Sequence, residues 1–151
     1  MMSSPPVEGA LATAVGAVVC IGTWNMSHWV PGKAQVMAAE VQAAILAVQE
    51  THLATFALEC AHQTARRVGL RLHHGHPAQE VTGTVYGRSC GVGFVTAQGV
   101  AVSPVVPKGA AWRQLHAMRR LHALQLAPRP GLPRGLLLFS VYAPLHVRRD
   151  E

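Results

Sequence analysis

The stretch Ile45-Leu46-Ala47-Val48-Gln49-Glu50-Thr51-His52 decides the fold. Its apolar first half has no helical period. It is flanked by segments that do, so Ala44 to Gln49 reads as a buried strand that ends at Glu50. Upstream, Lys33 to Gln42 has helical spacing, with Val36, Ala39 and Ala43 on one face. Downstream, Leu53 to Val68 is an amphipathic helix with the stripe Phe56, Leu58, Ala61, Ala65 and Val68, and Gly69 is placed to cap it.

Working outward, Ala17 to Asn25 is an apolar, β-branched run and reads as a first buried strand, followed by a turn from Ser27 to Gly32 around Pro31. Leu70 to His74 is a short strand, and Pro77 to Gly87 is a loop or hairpin. Gly91 to Thr96 and Val100 to Val106 are strands joined by Ala97-Gln98-Gly99. Lys108 to Ala111 reads as a loop. Trp112 to Ala127 carries two periods: Leu115, Met118, Leu121 and Leu124 are spaced as on a helix, while His122 to Leu126 alternates as a strand does. A Pro/Gly turn follows at Pro128 to Pro133, then a continuous apolar strand from Leu136 to Tyr142 that Ala143-Pro144 ends. The order β-α-β-α-β, then mainly strands, predicts an α/β protein with a mixed sheet and flanking helices.

One domain is expected for 151 residues, half of them apolar, with residues 1–13 as a Ser/Pro/Gly/Ala-rich disordered leader and 14–151 as the folded part. Ala10 to Gly22 lacks the basic residue that opens a signal peptide, and Glu8 stands in its place. The run is also shorter than the roughly 20 apolar residues a bilayer demands. Cys20, Cys60 and Cys90 are far apart and odd in number, which points away from a disulfide framework and toward a reducing compartment. The expectation is a soluble intracellular protein, nuclear or cytoplasmic, with no membrane association.

Net charge is +6 and unevenly placed. Residues 1–80 hold four basic and five acidic side chains, residues 81–151 nine basic and two acidic. A basic second half suits nucleic acid as a partner; GC-rich codon usage produces the same bias. Acids are scarce: none occurs between Glu80 and Asp150, so any mechanism that needs several carboxylates has few candidates.

Three segments at strand ends carry the candidate chemistry: Thr23-Trp24-Asn25, Gln49-Glu50-Thr51 and Ser140-Val141-Tyr142. Ligands of layered α/β folds collect at such ends. Glu50 offers the carboxylate that a hard cation such as Mg²⁺ takes beside substrate phosphate and water. Asn25 on the adjacent strand is placed to orient that site or bond a phosphate oxygen. Glu50 also fits as an acid at a helix start, and Asn25 as a turn former.

Together the segments resemble the endonuclease/exonuclease/phosphatase superfamily, from about Val18 to Pro144. Ile21-Gly22-Thr23-Trp24-Asn25 is similar to its opening strand, Val48-Gln49-Glu50-Thr51-His52 to its metal-binding Gln-Glu-Thr segment, Cys90-Gly91-Val92-Gly93-Phe94-Val95 to its Gly-rich strand, and Ser140-Val141-Tyr142-Ala143-Pro144 to its Tyr-x-Pro strand. The resemblance implies a DNase I-like α/β sandwich and a nuclease-like, metal-dependent hydrolase of phosphoesters. Glu50 would ligate Mg²⁺ or Mn²⁺ with Asn25 beside it, and the catalytic Tyr142 would hydrogen-bond near the scissile phosphate. In that family an Asp-x-Asn segment and a late Asp and His follow Tyr-x-Pro. This chain has none of them before Glu151, so it reads as the first half of such a domain (a fragment, a truncated gene model or a degenerate copy), inactive alone. His146 lies too close to Tyr142 to stand for the late His.

Other motifs weigh less. A non-enzymatic remnant that binds nucleic acid or a partner is the alternative. Gly87-Arg88-Ser89-Cys90-Gly91 has the spacing of a serine-hydrolase elbow, but strand-like sequence follows it and no acid–His pair can complete a triad. His73, His74 and His76 lack a neighbouring Cys and read as solvated loop histidines rather than a zinc site. His116 and His122 lie among Arg113, Arg119 and Arg120, a stretch that suits phosphate contact or a solvated face. Trp24, Trp29 and Trp112 suit stacking or packing.

Overall fold

The computed structural model describes residues 19–41, 43–75 and 91–143. The leader, the loop at 77–87, Ser89, Cys90, His76, Pro144 and His146 lie outside them. The order is β1 (Ile21–Asn25), α1 (Pro31–Glu40), β2 (Ile45–Gln49), α2 (Thr55–Arg67), β3 (Leu70–His74), β4 (Val92–Ala97), β5 (Val102–Pro104), α3 (Ala110–Ala117), β6 (Leu121–Leu126) and β7 (Leu136–Val141). This is an α/β protein with a mixed four-stranded sheet, β1-β2-β4-β3, and an antiparallel three-stranded sheet, β5-β6-β7. β1 and β2 are parallel, with Asn25 opposite Gln49; the remaining pairs are antiparallel.

The two faces of the first sheet are covered differently, and β2 shows this residue by residue. Leu46 and Val48 pack with Ala34 and Met37 of α1 and Ala61 and Ala65 of α2. Ile45 and Ala47, on the opposite face, pack with Phe94, Leu124, Leu126, Leu136 and Leu138 between the sheets. A strand buried on both faces carries no polar alternation, which is why β2 was legible as an apolar run.

Several expectations change in the structure. β1 is an edge strand, and Ile21, Thr23 and Asn25 are exposed rather than buried. Pro31 opens α1 instead of sitting in a turn, because a missing N–H costs nothing in the first helical turn. The buried face of α1 is Ala34 and Met37, while Val36 and Ala39 point outward. Phe56 is 83% exposed and leaves the predicted stripe of α2; Leu53, just before the helix, takes the buried position. β7 alternates instead of being buried throughout: Leu136 and Leu138 face the other sheet while Leu137, Phe139 and Val141 are exposed. The turn after β4 carries the chain from one sheet to the other, so β4 and β5 are not partners. The doubly periodic stretch is both things in turn, α3 and then β6.

Among the described residues, no helix is long and apolar enough to cross a membrane.

Candidate functional site

The C-terminal ends of β1, β2 and β7 meet at one rim of the sandwich. Parallel pairing sets Asn25 beside Gln49, one residue before Glu50. β7 reaches the rim through Ser140, whose buried hydroxyl donates to the Val48 carbonyl at 3.1 Å and accepts from Gln49 Nε2 at 3.2 Å. The same Gln49 side chain accepts from Thr23 Oγ1 at 3.2 Å, so one amide links β1, β2 and β7. Tyr142 follows the last residue of β7 directly and is held there by its backbone.

Backbone hydrogen bonds then tie the rim loops together. Met26 N–H donates to Gln49 O and Trp29 N–H to Thr51 O, both at 2.9 Å. Thr51 N–H donates to Gly91 O at 3.2 Å, Gly91 N–H to Arg119 O at 3.2 Å, and Tyr142 N–H to Arg120 O at 2.8 Å. Five chain segments converge in this way. Lys33 closes the loop after β1 by donating to the carbonyls of Met26 and His28, with its ammonium 5.9 Å from the Trp24 ring centre.

The rim also collects backbone strain. Among the described residues, the non-glycine positions with positive φ are Ser27 (57°), Glu50 (53°), His52 (53°) and Arg119 (59°), and all four lie in these loops. Such conformations cost about 1–3 kcal/mol each and cluster at functional sites. Gly91, at φ 105°, has no room for a side chain, because a methyl there would collide with the Thr51 hydroxyl.

The three predicted residues differ in state. Glu50 is half-buried, and among the described residues its carboxylate has no hydrogen-bond or ion-pair partner. It stands five residues ahead of α2, whose first turn holds no acid, so a dipole-capping role does not account for it. Asn25 is exposed, and its Oδ1 accepts from Ser27 N–H at 3.1 Å, the turn-forming bond expected of an Asn after a strand. Its Nδ2 donors remain for another ligand. Tyr142 is half-buried.

Sequence reasoning did not single out Gln49, Ser140, Thr51 and His74 for the work they do here. Thr51 is buried, and its hydroxyl lies 2.6 Å from His74 Nε2. His74 Nδ1 lies 3.0 Å from Gly75 O, so Nδ1 carries the proton and Thr51 donates to Nε2. Burial pushes the His74 pKa down to about 4, against the Gly75 contact that raises it, so the ring is neutral near pH 7. His73 turns the other way, to Thr96 Oγ1 at 3.1 Å; burial, then Arg71, hold its pKa below the usual value. The neighbouring histidines thus occupy opposite faces.

His122, buried on β6, stacks at 6.0 Å on His116 of α3 and packs against Phe94. Trp24 and Trp29 pack against the helix-side core, and Trp112 packs edge-on against Phe139. β4 follows Gly91 where a serine-hydrolase elbow requires a helix.

No group of three or more His, Cys, Asp or Glu that could hold a metal ion occurs among the described residues, so a cation at this rim would rely on one carboxylate with substrate and water as its other ligands. Glu50 fits that role, as a half-buried carboxylate without a protein partner. No protein-family model matches this chain, and no curated protein matches it in sequence.

Proposed function

We propose that this chain carries the strand-end rim of a metal-dependent phosphoesterase of the endonuclease/exonuclease/phosphatase superfamily, with a partial DNase I-like sandwich as its frame. The observation that carries the reading is Glu50: a carboxylate held at φ 53°, without a protein partner among the described residues, between the ends of β1 and β7. Glu50 would hold Mg²⁺ or Mn²⁺. When bound, the ion would supply positive charge to the phosphoryl oxygens. Asn25 would donate from Nδ2 to a phosphate oxygen while Ser27 N–H holds its Oδ1. Tyr142, carried to the rim by its backbone bond to Arg120, would donate its phenol proton to a second phosphate oxygen. Gln49 and Ser140 would act as positioning residues that keep the two sheets in register beneath these groups.

In the described residues the other carboxylates, Glu40 and Glu59, sit at the end of α1 and on the exposed side of α2. A second carboxylate to deprotonate water would have to come from outside the described residues. Glu50 as a single carboxylate favours a second reading, a module that binds phosphoesters without cleaving them.

The test is Mn²⁺ binding by calorimetry together with cleavage of a labelled oligonucleotide. Parent protein that binds the ion and loses it on Glu50→Ala supports the site. Cleavage that falls with it supports the enzyme, and ion binding without cleavage supports the module. Equal Mn²⁺ affinity in parent and variant overturns the metal role of Glu50.

A further inference from the structure

The turn between α3 and β6 enters the rim by its backbone, and this has a chemical consequence. Arg119 O accepts from Gly91 N–H and Arg120 O accepts from Tyr142 N–H, so two consecutive arginines are fastened between the Gly-rich strand and the candidate catalytic tyrosine. Arg119 takes φ 59°, and its N–H donates to His116 O; Arg120 N–H donates to Leu115 O. Both residues are half-buried. Arg120 shares the parity of His122 and Leu124, which face the first sheet.

The charge along this stretch has one sign: α3 and the turn after it carry Arg113, Arg119 and Arg120 and no acid. Gly91 bonds to Thr51 on one side and to Arg119 on the other, which ties this turn to the loop that carries Glu50. Guanidinium groups recognise phosphate through paired N–H donors, and contacts to successive phosphates set the register of a strand.

We propose that the Arg119-Arg120 turn is a phosphate-binding arm that holds a phosphodiester flanking the one at Glu50, which makes a nucleic-acid strand, rather than a phosphomonoester, the substrate class of this rim. The inference rests on the phosphoesterase reading for the reacting position, but the arm's own binding needs no metal.

The experiment measures fluorescence anisotropy of a labelled oligothymidylate with the full chain in EDTA across a salt series. Arg119→Asn with Arg120→Gln removes both charges and keeps a residue that tolerates positive φ. Arg66→Gln with Arg67→Gln removes the same charge from the far end of α2. The arm variant is expected to bind about tenfold more weakly, with a salt slope shallower by about 1 to 2. The α2 variant is expected to stay within about twofold of the parent. Equal loss in both variants, or no loss in the arm variant at an unchanged melting temperature, overturns the arm. So does displacement of the oligonucleotide by inorganic phosphate at equal concentration. Glu50→Ala, measured alongside, is expected to bind in EDTA at least as tightly as the parent. Failure of the metal reading would leave that result intact, and failure of the arm would leave Mn²⁺ binding at Glu50 intact.

Discussion

Glu50 combines two costs that a purely structural residue avoids: a left-handed backbone and a half-buried carboxylate without a protein partner. Removing the side chain separates them. Glu50→Gly is expected to melt above Glu50→Ala by the equivalent of about 1 kcal/mol, because glycine takes φ 53° without a Cβ penalty; both variants lose the carboxylate. Equal melting would mean the backbone there is unstrained. His74 makes the fold sensitive to acid. Its folded pKa, about 4, lies below the usual 6.5. Between those values the unfolded chain binds a proton that the folded chain refuses. The contribution of the neutral ring is therefore complete above pH 6.5 and lost as pH falls toward 4, by roughly 3 kcal/mol. The His73 and His62 pKa values are also lowered, chiefly by burial, and act in the same direction. Denaturant midpoints measured from pH 7 to pH 4 should fall, and His74→Gln should flatten part of that slope.

At the scale of elements, the union of the two sheets at the rim depends on a few polar contacts over a hydrophobic interior. Ile45, Phe94, Leu124 and Leu126 fill the space between the sheets, and Ser140 and Gln49 close it at the rim. Ser140→Ala removes a buried donor from Val48 O and an acceptor from Gln49 Nε2. The expected loss is about 1–3 kcal/mol, with faster amide exchange at Tyr142 than at Leu124. Unchanged exchange at Tyr142 would show that the backbone bond to Arg120 alone holds the end of β7. Not all of this element structure was legible. β2 emerges from an apolar run buried on both faces, β3 from alternation at Leu70 and Leu72, and α2 from a helical period that holds at Ala61 and Ala65. β1 was expected to be buried and is an edge strand, since an apolar edge strand and an apolar central strand look alike until the sheet order is known.

Over the whole molecule, helices cover one face of the first sheet and the second sheet covers the other. α3 lies against the second sheet, where Trp112 meets Phe139 and His116 meets His122. The outward row of β7, Leu137, Phe139 and Val141, remains exposed on an uncharged edge strand. Such an edge is a template for pairing with another chain. Val141→Lys is expected to lower concentration-dependent light scattering while moving the melting temperature by less than about 1 kcal/mol equivalent. Scattering that does not change would place self-association elsewhere on the surface.

The sequence by itself determined the order of elements from β1 to β5 and the position of Asn25, Glu50 and Tyr142 at strand ends, because strand termini and polar breaks in apolar runs are local properties. Tertiary structure alone decided that those ends share a rim, that Ser140 and Gln49 bind the sheets beneath it, that Thr51 and His74 pair there, and that Arg119 and Arg120 enter it through their carbonyls. These contacts join residues up to 92 positions apart in the chain, a distance over which no periodicity carries information.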